Sequence, residues 1–182
     1  MNLIISFSAR STGNCGRIAE YITAPGDKLV HFKDMHSHSC SNCDYECFHG
    51  VCKYREDDIY SLFDSMQGYD KIILIIPMYC GNPSSLYFIF NERSQDYFSH
   101  NSDTYKDIEQ KLYIIGVYGS QTETPHFLSH FKMWFETQSP DEHILGVERR
   151  VFQQKMKDCI LDIEVIRNRI SAFIKYILIL GC

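Results

Sequence analysis

Short continuous apolar runs alternate along this chain with stretches in which apolar residues recur every three or four positions. The runs "NLIISF", "KIILIIP" and "KLYIIGVYG" are typical of strands that are buried on both faces of a parallel sheet. The stretches between them have the spacing of helices with one buried face. This alternation predicts an α/β fold, in which a doubly wound, five-stranded parallel sheet lies between two layers of helices.

The same pattern predicts the limits of the individual elements. Strands are expected at residues 3–7, 28–33, 71–77, 111–119 and 143–147. Helices are expected at residues 14–22, 57–66 and 83–97, over a four-residue aromatic stripe, and along the C-terminal pattern from Met156 to Ile177. The aromatic stripe, interpreted as core or dimer surface, consists of Phe127, Phe131, Trp134 and Phe135. The polar stretch 99–110 is predicted to be a loop.

Composition limits the classes of function. The 182 residues fit one domain, residues 1–182, with an irregular cysteine-rich loop at about 35–54. The net charge of −5 offers no basic face for a nucleic acid, and every apolar run is shorter than the ~20 residues of a membrane-spanning helix. We therefore expect neither a nucleic-acid nor a membrane partner. Without a recognisable signal peptide, the eight cysteines favour a cytoplasmic protein with metal or redox chemistry.

The loop after the first strand, "SARSTGN", is dense in groups that bind phosphate. It leaves a parallel strand and enters a helix, so unpaired backbone N–H groups and the positive helix end favour an anion there. Ser8, Ser11, Thr12 and Asn14 could add hydrogen-bond donors, and Arg10 could add a charge-assisted bond. The alternative is an ordinary capping loop, since these polar residues also cap helices. The glycine signatures of nucleotide hydrolases and dinucleotide-binding proteins do not occur in it.

The loops after the third and fourth strands are expected beside this first loop. In a doubly wound sheet, ligands bind beyond the carboxyl ends of the strands, where the winding reverses. The loops "SARSTGN", "PMYCGNPSS" and "YGSQTE" should therefore converge on one crevice. Arg149 and Arg150, after the fifth strand, could meet a phosphate of NADPH, although two basic residues at a strand end are commonly solvated.

Four cysteines lie close together in the irregular segment. They are Cys40, Cys43, Cys47 and Cys52, with gaps of two, three and four residues. Thiolates at this spacing can converge on one centre, and soft sulfur ligands select zinc or an iron–sulfur cluster. Reduced thiols or a disulfide are the alternatives. Three neighbouring histidines could complete a zinc site or could be exposed loop residues, namely His36, His38 and His49.

Two strand-end motifs resemble those of the NADPH-dependent FMN reductases and iron–sulfur flavoproteins of the flavodoxin-like superfamily. The first loop of that family typically has the pattern S-P-R-x-x-G-N-[ST]. Residues 8–15 match it, with Ala9 in place of proline and Cys15 in place of the last hydroxyl residue. The third strand of the family runs into P-x-Y-x-x-x-x-[PS], which residues 77–83 follow as "PMYCGNP". The two motifs stand in the expected order and on the expected strands.

The cysteine segment extends this resemblance. Many members have a compact cysteine cluster followed by Asp-Asp, as here at Asp57 and Asp58. The family often has an Asp-Arg pair where this chain has Glu92 and Arg93. The iron–sulfur flavoproteins hold a four-iron four-sulfur (4Fe-4S) cluster with such cysteines, but with a two-residue second gap where this chain has three. The resemblance leaves open whether these four cysteines hold a cluster, zinc or nothing.

The resemblance implies a flavodoxin-like fold with an FMN site. It assigns the FMN phosphate to the first loop, the isoalloxazine ring to "PMYCGN", and the other side of the flavin to the loop at 118–120. The residues expected to hold FMN are Ser8, Arg10, Ser11, Thr12, Gly13, Asn14, Cys15, Pro77, Met78, Tyr79, Cys80, Gly81, Asn82, Tyr118, Gly119 and Ser120.

The activity implied is that of an FMN-dependent NAD(P)H oxidoreductase of the flavin or quinone reductase type. NAD(P)H would transfer hydride to the flavin, which would then reduce a small-molecule or protein electron acceptor. Because the flavin supplies the chemistry, no catalytic side chain is assigned. Related reductases are commonly homodimers or homotetramers, and we expect a homo-oligomer here. The alternatives are an iron–sulfur flavoprotein that carries electrons between protein partners without catalysis, and a flavodoxin-like sensor module without flavin.

Overall fold

A parallel sheet forms the centre of the molecule. The computed structural model describes the chain except residues 11, 42, 50–51, 120–125, 136–137, 151–154, 156–157 and 180–182. The strands are β1 (Asn2–Ser6), β2 (Lys28–His31), β3 (Lys71–Tyr79), β4 (Asn82–Pro83), β5 (Leu112–Tyr118) and β6 (Ile144–Glu148). The parallel strands lie in the order β2-β1-β3-β5-β6, and β4 pairs antiparallel with β3. This is the flavodoxin-like strand order, so the predicted fold is confirmed.

Helices cover both faces of the sheet. They are α1 (Asn14–Ile22), α2 (Asp58–Met66), α3 (Ser85–Ser99), α4 (Ser102–Lys111), α5 (Ser129–Lys132), α6 (Pro140–His143) and α7 (Glu164–Ile179). Asp57 caps α2 by accepting the amide N–H of Ile59. Ser84 caps α3 by accepting the amide N–H of Tyr87, and its hydroxyl donates to the carbonyl of Phe7 at 2.8 Å. The start of α3 is thereby joined to the end of β1.

Each face of the sheet carries its own hydrophobic core. On one face, α1 and α7 contribute buried side chains such as Ile18 and Ile170 against the central strands. On the other face, aromatic rings dominate, and the centroids of Phe7, Phe32 and Phe90 lie 5.1 to 6.1 Å apart. Because the central strands are covered on both faces, their sequences are continuously apolar rather than alternating.

The aromatic stripe packs onto this second face beside two glycines. A Cβ atom on Gly116 would lie only 2.7 Å from the Leu128 side chain and 3.0 Å from Phe127. Gly146, which pairs with Gly116 across β5 and β6, would bring a Cβ within 3.0 Å of Leu128. The two glycines therefore let the stripe approach the sheet. All four residues of the stripe are buried, as expected of core, although only residues 129–132 form a helix.

The polar stretch 99–110 was predicted to be a loop, and this prediction is wrong. It contains most of α4, which begins at Ser102 and buries Ile108. The helix is supported by an ion pair between Asp107 and Lys111, one turn apart, rather than by a broad apolar face. A single buried apolar side chain gives too weak a periodic signal to identify a helix.

Several other boundaries differ from the prediction. The strand predicted at residues 28–33 ends at His31, because Phe32–Asp34 form a 3-10 turn. The C-terminal helix begins at Glu164, because Ile160–Asp162 form a separate 3-10 turn, and Met156 lies outside the described residues. Strand β3 continues two residues beyond Pro77, because β4 folds back on its end. Within the part of the chain that is described, no helix has the length and apolar character needed to cross a membrane.

Candidate functional site

A cavity of about 300 Å³ lies at the carboxyl ends of the central strands. The residues that line it are Ser8, Arg10, Gly13, Asn14, Cys15, Pro77, Met78, Tyr79, Cys80, Val117, Tyr118, Gly119, Arg149 and Arg150. The first, third and fourth strand-end loops, which follow β1, β3 and β5, therefore meet at one cavity, as the parallel topology requires. Residues directly after β6 also line this cavity.

The first loop is held as a tight turn by its own hydrogen bonds. The Ser8 hydroxyl donates to the Arg10 carbonyl at 2.9 Å and accepts the Arg10 amide N–H at 3.1 Å. The Gly13 amide donates to the same carbonyl, and a Cβ atom on Gly13 would lie 3.3 Å from that oxygen. Ser8 thus shapes the loop, while the Arg10 side chain lines the cavity.

Helix α1 begins at the cavity with a glycine. Gly13 occupies the N-cap position, and among the described residues no side-chain cap is seen there. The N–H groups of the first turn and the positive end of the helix favour an anion at this place. The Asn14 side-chain oxygen instead accepts the amide N–H of Ile160 at 3.0 Å, which ties α1 to the turn before α7.

Cys15 reaches the cavity from the first turn of α1, but it belongs to the core. Its side chain is buried with Ile18 and Ile160. Burial raises the pKa of the Cys15 thiol to about 12, and the nearby Arg10 guanidinium opposes this only in part. The thiol is therefore neutral at physiological pH and is not a reactive nucleophile.

The third strand ends in a hairpin that presents its side chains to the cavity. Cys80 and Gly81 have φ angles of 50° and 81°, and Tyr79 pairs with Asn82 across this two-residue turn. Two consecutive left-handed residues define a type I′ turn, whose twist suits a hairpin. The ring of Tyr79 is 41% exposed beside the cavity, so an aromatic surface is available there for a planar ligand.

Strand β6 brings two arginines to the same cavity. Its pairing with β5 sets Glu148 beside Tyr118. Beyond the strand, the Arg149 amide donates to the Tyr118 carbonyl at 3.0 Å and the Arg150 amide donates to the Gly119 carbonyl at 2.7 Å. The backbone of both arginines is thereby fastened to the loop after β5.

The charged side chains that line this cavity are all cationic. They belong to Arg10, Arg149 and Arg150, and no carboxylate is among the described lining residues, although the chain has a net charge of −5. Nη1 of Arg149 is shielded from solvent and has no hydrogen-bond partner within the described structure. Buried donors are almost always satisfied, and an anion bound in the cavity would satisfy this one. The cavity therefore fits a phosphate-bearing ligand with a planar ring.

Most residues assigned to FMN from the sequence line this cavity. Thr12, Gly81 and Asn82 are described but do not line it, and Ser11 and Ser120 lie outside the described residues. The lining residues that the sequence did not assign are Val117, Arg149 and Arg150. Their signal was indirect, because it depends on which strand pairs with β5 and in which register.

The four clustered cysteines line a second cavity, of about 350 Å³. Cys40, Cys43, Cys47 and Cys52 are free thiols around this common space. Burial and the neighbouring Cys43 and Cys47 raise the pKa of Cys40, and burial and Asp96 raise the pKa of Cys47. The four thiols are grouped in space, and Cys40 and Cys47 favour their neutral form.

A 4Fe-4S cluster, one of the alternatives that the sequence left open for these four cysteines, is not supported. Within the described ranges, no three or more histidine, cysteine or acidic side chains are arranged to hold a metal ion. The histidines nearby pack with one another and with an aromatic ring instead. The His38 ring stacks on Tyr54 with centroids 4.6 Å apart, and the His36 ring meets His38 edge-on.

A buried arginine clamps the cysteine segment at its base. Arg93 and Asp57 are almost fully buried, and the guanidinium donates to the Asp57 carboxylate at 2.6 Å. It also donates to the carbonyl of His38 at 3.2 Å and to that of Tyr54 at 3.0 Å. These carbonyls stand on either side of the four cysteines, so Arg93 holds both ends of the segment against α2 and α3.

Comparisons with known proteins establish the fold. No protein-family model matches this sequence, and no curated protein is significantly similar to it. The Trp repressor binding protein from Bacillus subtilis has a TM-score of 0.63 and 15% identity, over 97% of this chain and 99% of that one. The NAD(P)H:(acceptor) oxidoreductase FerB from Paracoccus denitrificans has a TM-score of 0.53 and 10% identity, over 97% and 96%.

A third solved structure was determined with its cofactor. The FMN-dependent NADH-azoreductase from Bacillus anthracis, in complex with FMN, has a TM-score of 0.51 and 9% identity, over 100% of this chain and 99% of that one. At such identities the likeness concerns the fold, which extends over the whole chain. Flavin-dependent NAD(P)H oxidoreductases, the class that the sequence motifs resemble, are among the proteins that share it.

Proposed function

We propose that this chain binds FMN in the arginine-lined cavity and is an NAD(P)H-dependent oxidoreductase. The observation that carries the proposal is the cavity itself. Two loops with the sequence motifs of flavin reductases and a third loop meet there, and the charged residues among its described lining are all arginines. Two of the solved structures with this fold are oxidoreductases that use reduced nicotinamide cofactors, and one was solved with FMN.

Each wall of the cavity has a distinct role in this proposal. Arg10 and the uncapped first turn of α1 bind the phosphate. The hairpin around Cys80 and Gly81 presents backbone groups to the polar edge of the ring, beside the exposed ring of Tyr79. The loop after β5, fastened by the backbone of Arg149 and Arg150, flanks the other side.

FMN, when bound, supplies hydride acceptance from NAD(P)H and electron transfer to an acceptor. The chain contributes binding and orientation, since its loops are fixed by backbone hydrogen bonds and by the type I′ turn. The exposure of Tyr79 indicates that the cavity opens to solvent on the hairpin side, where a second substrate can approach. No side chain lining the cavity is assigned as a general acid or base.

We further propose a cytoplasmic homodimer or homotetramer that reduces a small-molecule or protein acceptor. No disulfide joins the seven described cysteines, even though four of them line one cavity, which is typical of a reducing compartment. Exposed apolar side chains near the end of α7, such as Leu178 and Ile179, favour association of copies.

A titration of the apoprotein with FMN tests the site. Arg10→Ala combined with Asn14→Ala should weaken FMN binding at least tenfold, about 1.4 kcal/mol, with the fold retained. Arg10→Ala alone should account for most of this loss, because the Asn14 side chain bonds to Ile160. Arg17→Ala is the matched control, since Arg17 lies on α1 but does not line the cavity. An unchanged FMN affinity in the double variant would contradict the assignment.

Oxidation of NADH and NADPH by the FMN-loaded protein tests the activity. A quinone and a free flavin are suitable acceptors, and consumption of the nicotinamide should depend on both FMN and the protein. A protein that binds FMN but oxidises neither nicotinamide with any acceptor would favour a carrier or sensor instead.

A further inference from the structure

Arg149 has an unused cationic donor inside the candidate FMN cavity. Its side chain lines the cavity, and its Nη1 atom is removed from solvent without a hydrogen-bond partner among the described residues. A surface arginine normally keeps its guanidinium in water. We propose that Arg149 is a second phosphate-binding residue of this cavity, in addition to Arg10.

The position of Arg149 is set by the sheet rather than by a flexible loop. The register of β5 and β6 pairs Tyr118 with Glu148, and the next amide, that of Arg149, donates to the Tyr118 carbonyl. Because this backbone is fixed, the Arg149 side chain starts from one defined position, as a residue that binds a specific group requires. In this proposal Arg149 is a binding residue and not only a source of general positive charge.

Arg149 and Arg10 reach the cavity from different strands. Arg10 follows β1 and Arg149 follows β6, and β3 and β5 lie between these strands. Three strand spacings separate them by about 14 Å. The two side chains therefore enter the cavity from different strands, and the probes below distinguish one phosphate shared by both from a second phosphate bound by Arg149 alone.

Phosphate is the anion that Arg149 favours in this cavity. The planar guanidinium matches a phosphate with two parallel hydrogen bonds, and no carboxylate is among the described residues that line the cavity. The phosphate could belong to the flavin or to the nicotinamide cofactor. The choice between these two cofactors rests on the proposed function. Phosphate binding by Arg149 does not depend on it.

Four probes separate these cases: inorganic phosphate, riboflavin, FMN, and NADP⁺ in place of the reduced cofactor. Inorganic phosphate and both flavins are titrated into the full-length apoprotein, and NADP⁺ into the FMN-loaded protein, by calorimetry or flavin fluorescence. The variants are Arg149→Ala and Arg149→Lys, with Arg55→Ala, an exposed arginine outside the cavity, as control.

We expect Arg149→Ala to weaken binding of inorganic phosphate and of at least one larger phosphate-bearing probe tenfold. Riboflavin affinity should change less than twofold, and Arg149→Lys should recover part of the loss. A selective loss of FMN affinity would identify the flavin phosphate as the partner. A selective loss of NADP⁺ affinity, with FMN unchanged, would identify the nicotinamide cofactor.

Two outcomes would overturn the inference. One is an Arg149→Ala variant that binds all phosphate-bearing probes like the wild type. The other is an equal loss for riboflavin and FMN, which would show that Arg149 only supports packing. If the wild type binds neither flavin yet loses phosphate binding on Arg149→Ala, the proposed function fails and the inference stands. If the wild type binds FMN and Arg149→Ala changes no affinity, the inference fails and the proposed function stands.

Discussion

Replacement of Arg93 by methionine should destabilise this protein far more than replacement of any exposed arginine. The guanidinium is almost fully buried and donates to the Asp57 carboxylate and to the carbonyls of His38 and Tyr54. Methionine fills a similar volume but removes all of these donors. The Asp57 carboxylate would then be a buried charge without its arginine partner, and it would keep the helix-cap and backbone bonds beside the His38 ring, whose Nδ1 lies 3.6 Å away.

The expected loss follows from that unpaired charge. Breaking a buried ion pair by removing one partner costs about 3–5 kcal/mol of the free energy of unfolding. For a domain of this size each kcal/mol lowers Tm by about 2–4 °C, so Tm should fall by about 6–20 °C. Asp57→Asn removes the charge but keeps a capping side chain, so adding it to Arg93→Met should cost clearly less than the sum of the two single changes.

Urea unfolding, followed by circular dichroism, measures these free energies. Arg55→Met is the matched control, because Arg55 is exposed, and it should change the free energy of unfolding by no more than about 0.5 kcal/mol. The reasoning would be refuted by an Arg93→Met variant that loses less than about 1 kcal/mol, or by two single losses that simply add. Either result would mean that the buried pair contributes little to holding the fold.

Four further predictions concern separate parts of the molecule. Gly116→Ala should cost about 1–3 kcal/mol in urea unfolding, because its Cβ would lie 2.7 Å from Leu128, and a neutral result would contradict the close packing. Cys80→Asn should raise the free energy of unfolding by about 0.5–1 kcal/mol, since asparagine suits the left-handed turn position better, and a loss would argue against this turn. Burial raises the pKa of Cys15 from 9.0 to about 12, so this thiol should lower the free energy of unfolding between pH 9 and 12, by at most about 1.4 kcal/mol per pH unit. The free energy of unfolding of Cys15→Ala should fall less steeply over this range, and identical pH profiles for the two proteins would contradict the raised pKa. Sedimentation should show a homo-oligomer, and a 21.3 kDa species at micromolar concentration would count against it.

The central sheet could be predicted from the sequence because its strands are buried on both faces. Runs such as "KIILIIP" have no polar alternation and no turn residues inside them, so strand is the simplest interpretation. Strand order then follows from short right-handed connections. Helix α4 was missed because it lies largely in solvent and buries only Ile108 and Glu109.

The parts of the site that lie within a single loop could be predicted from the sequence. The loops after β1 and β3 contain their own polar residues and turn signals, so Arg10 and Tyr79 could be assigned from local sequence. For Arg149 the sequence offered a phosphate contact only as an alternative to a solvated surface residue, because its place depends on the register in which β6 joins β5. The role of Arg93 was also hidden, since its partners His38, Asp57 and Tyr54 are distant in sequence.

The clamp at Arg93 also makes the cysteine segment separable from the rest of the protein. Both of its ends are fixed at one point by the same guanidinium, and the stacked rings of His38 and Tyr54 close the gap between them. Once the ends of a loop are held together, doubling its length costs only about 0.6 kcal/mol of closure entropy. The segment between these two residues is therefore a natural grafting position, where longer or shorter insertions can be exchanged without altering the sheet.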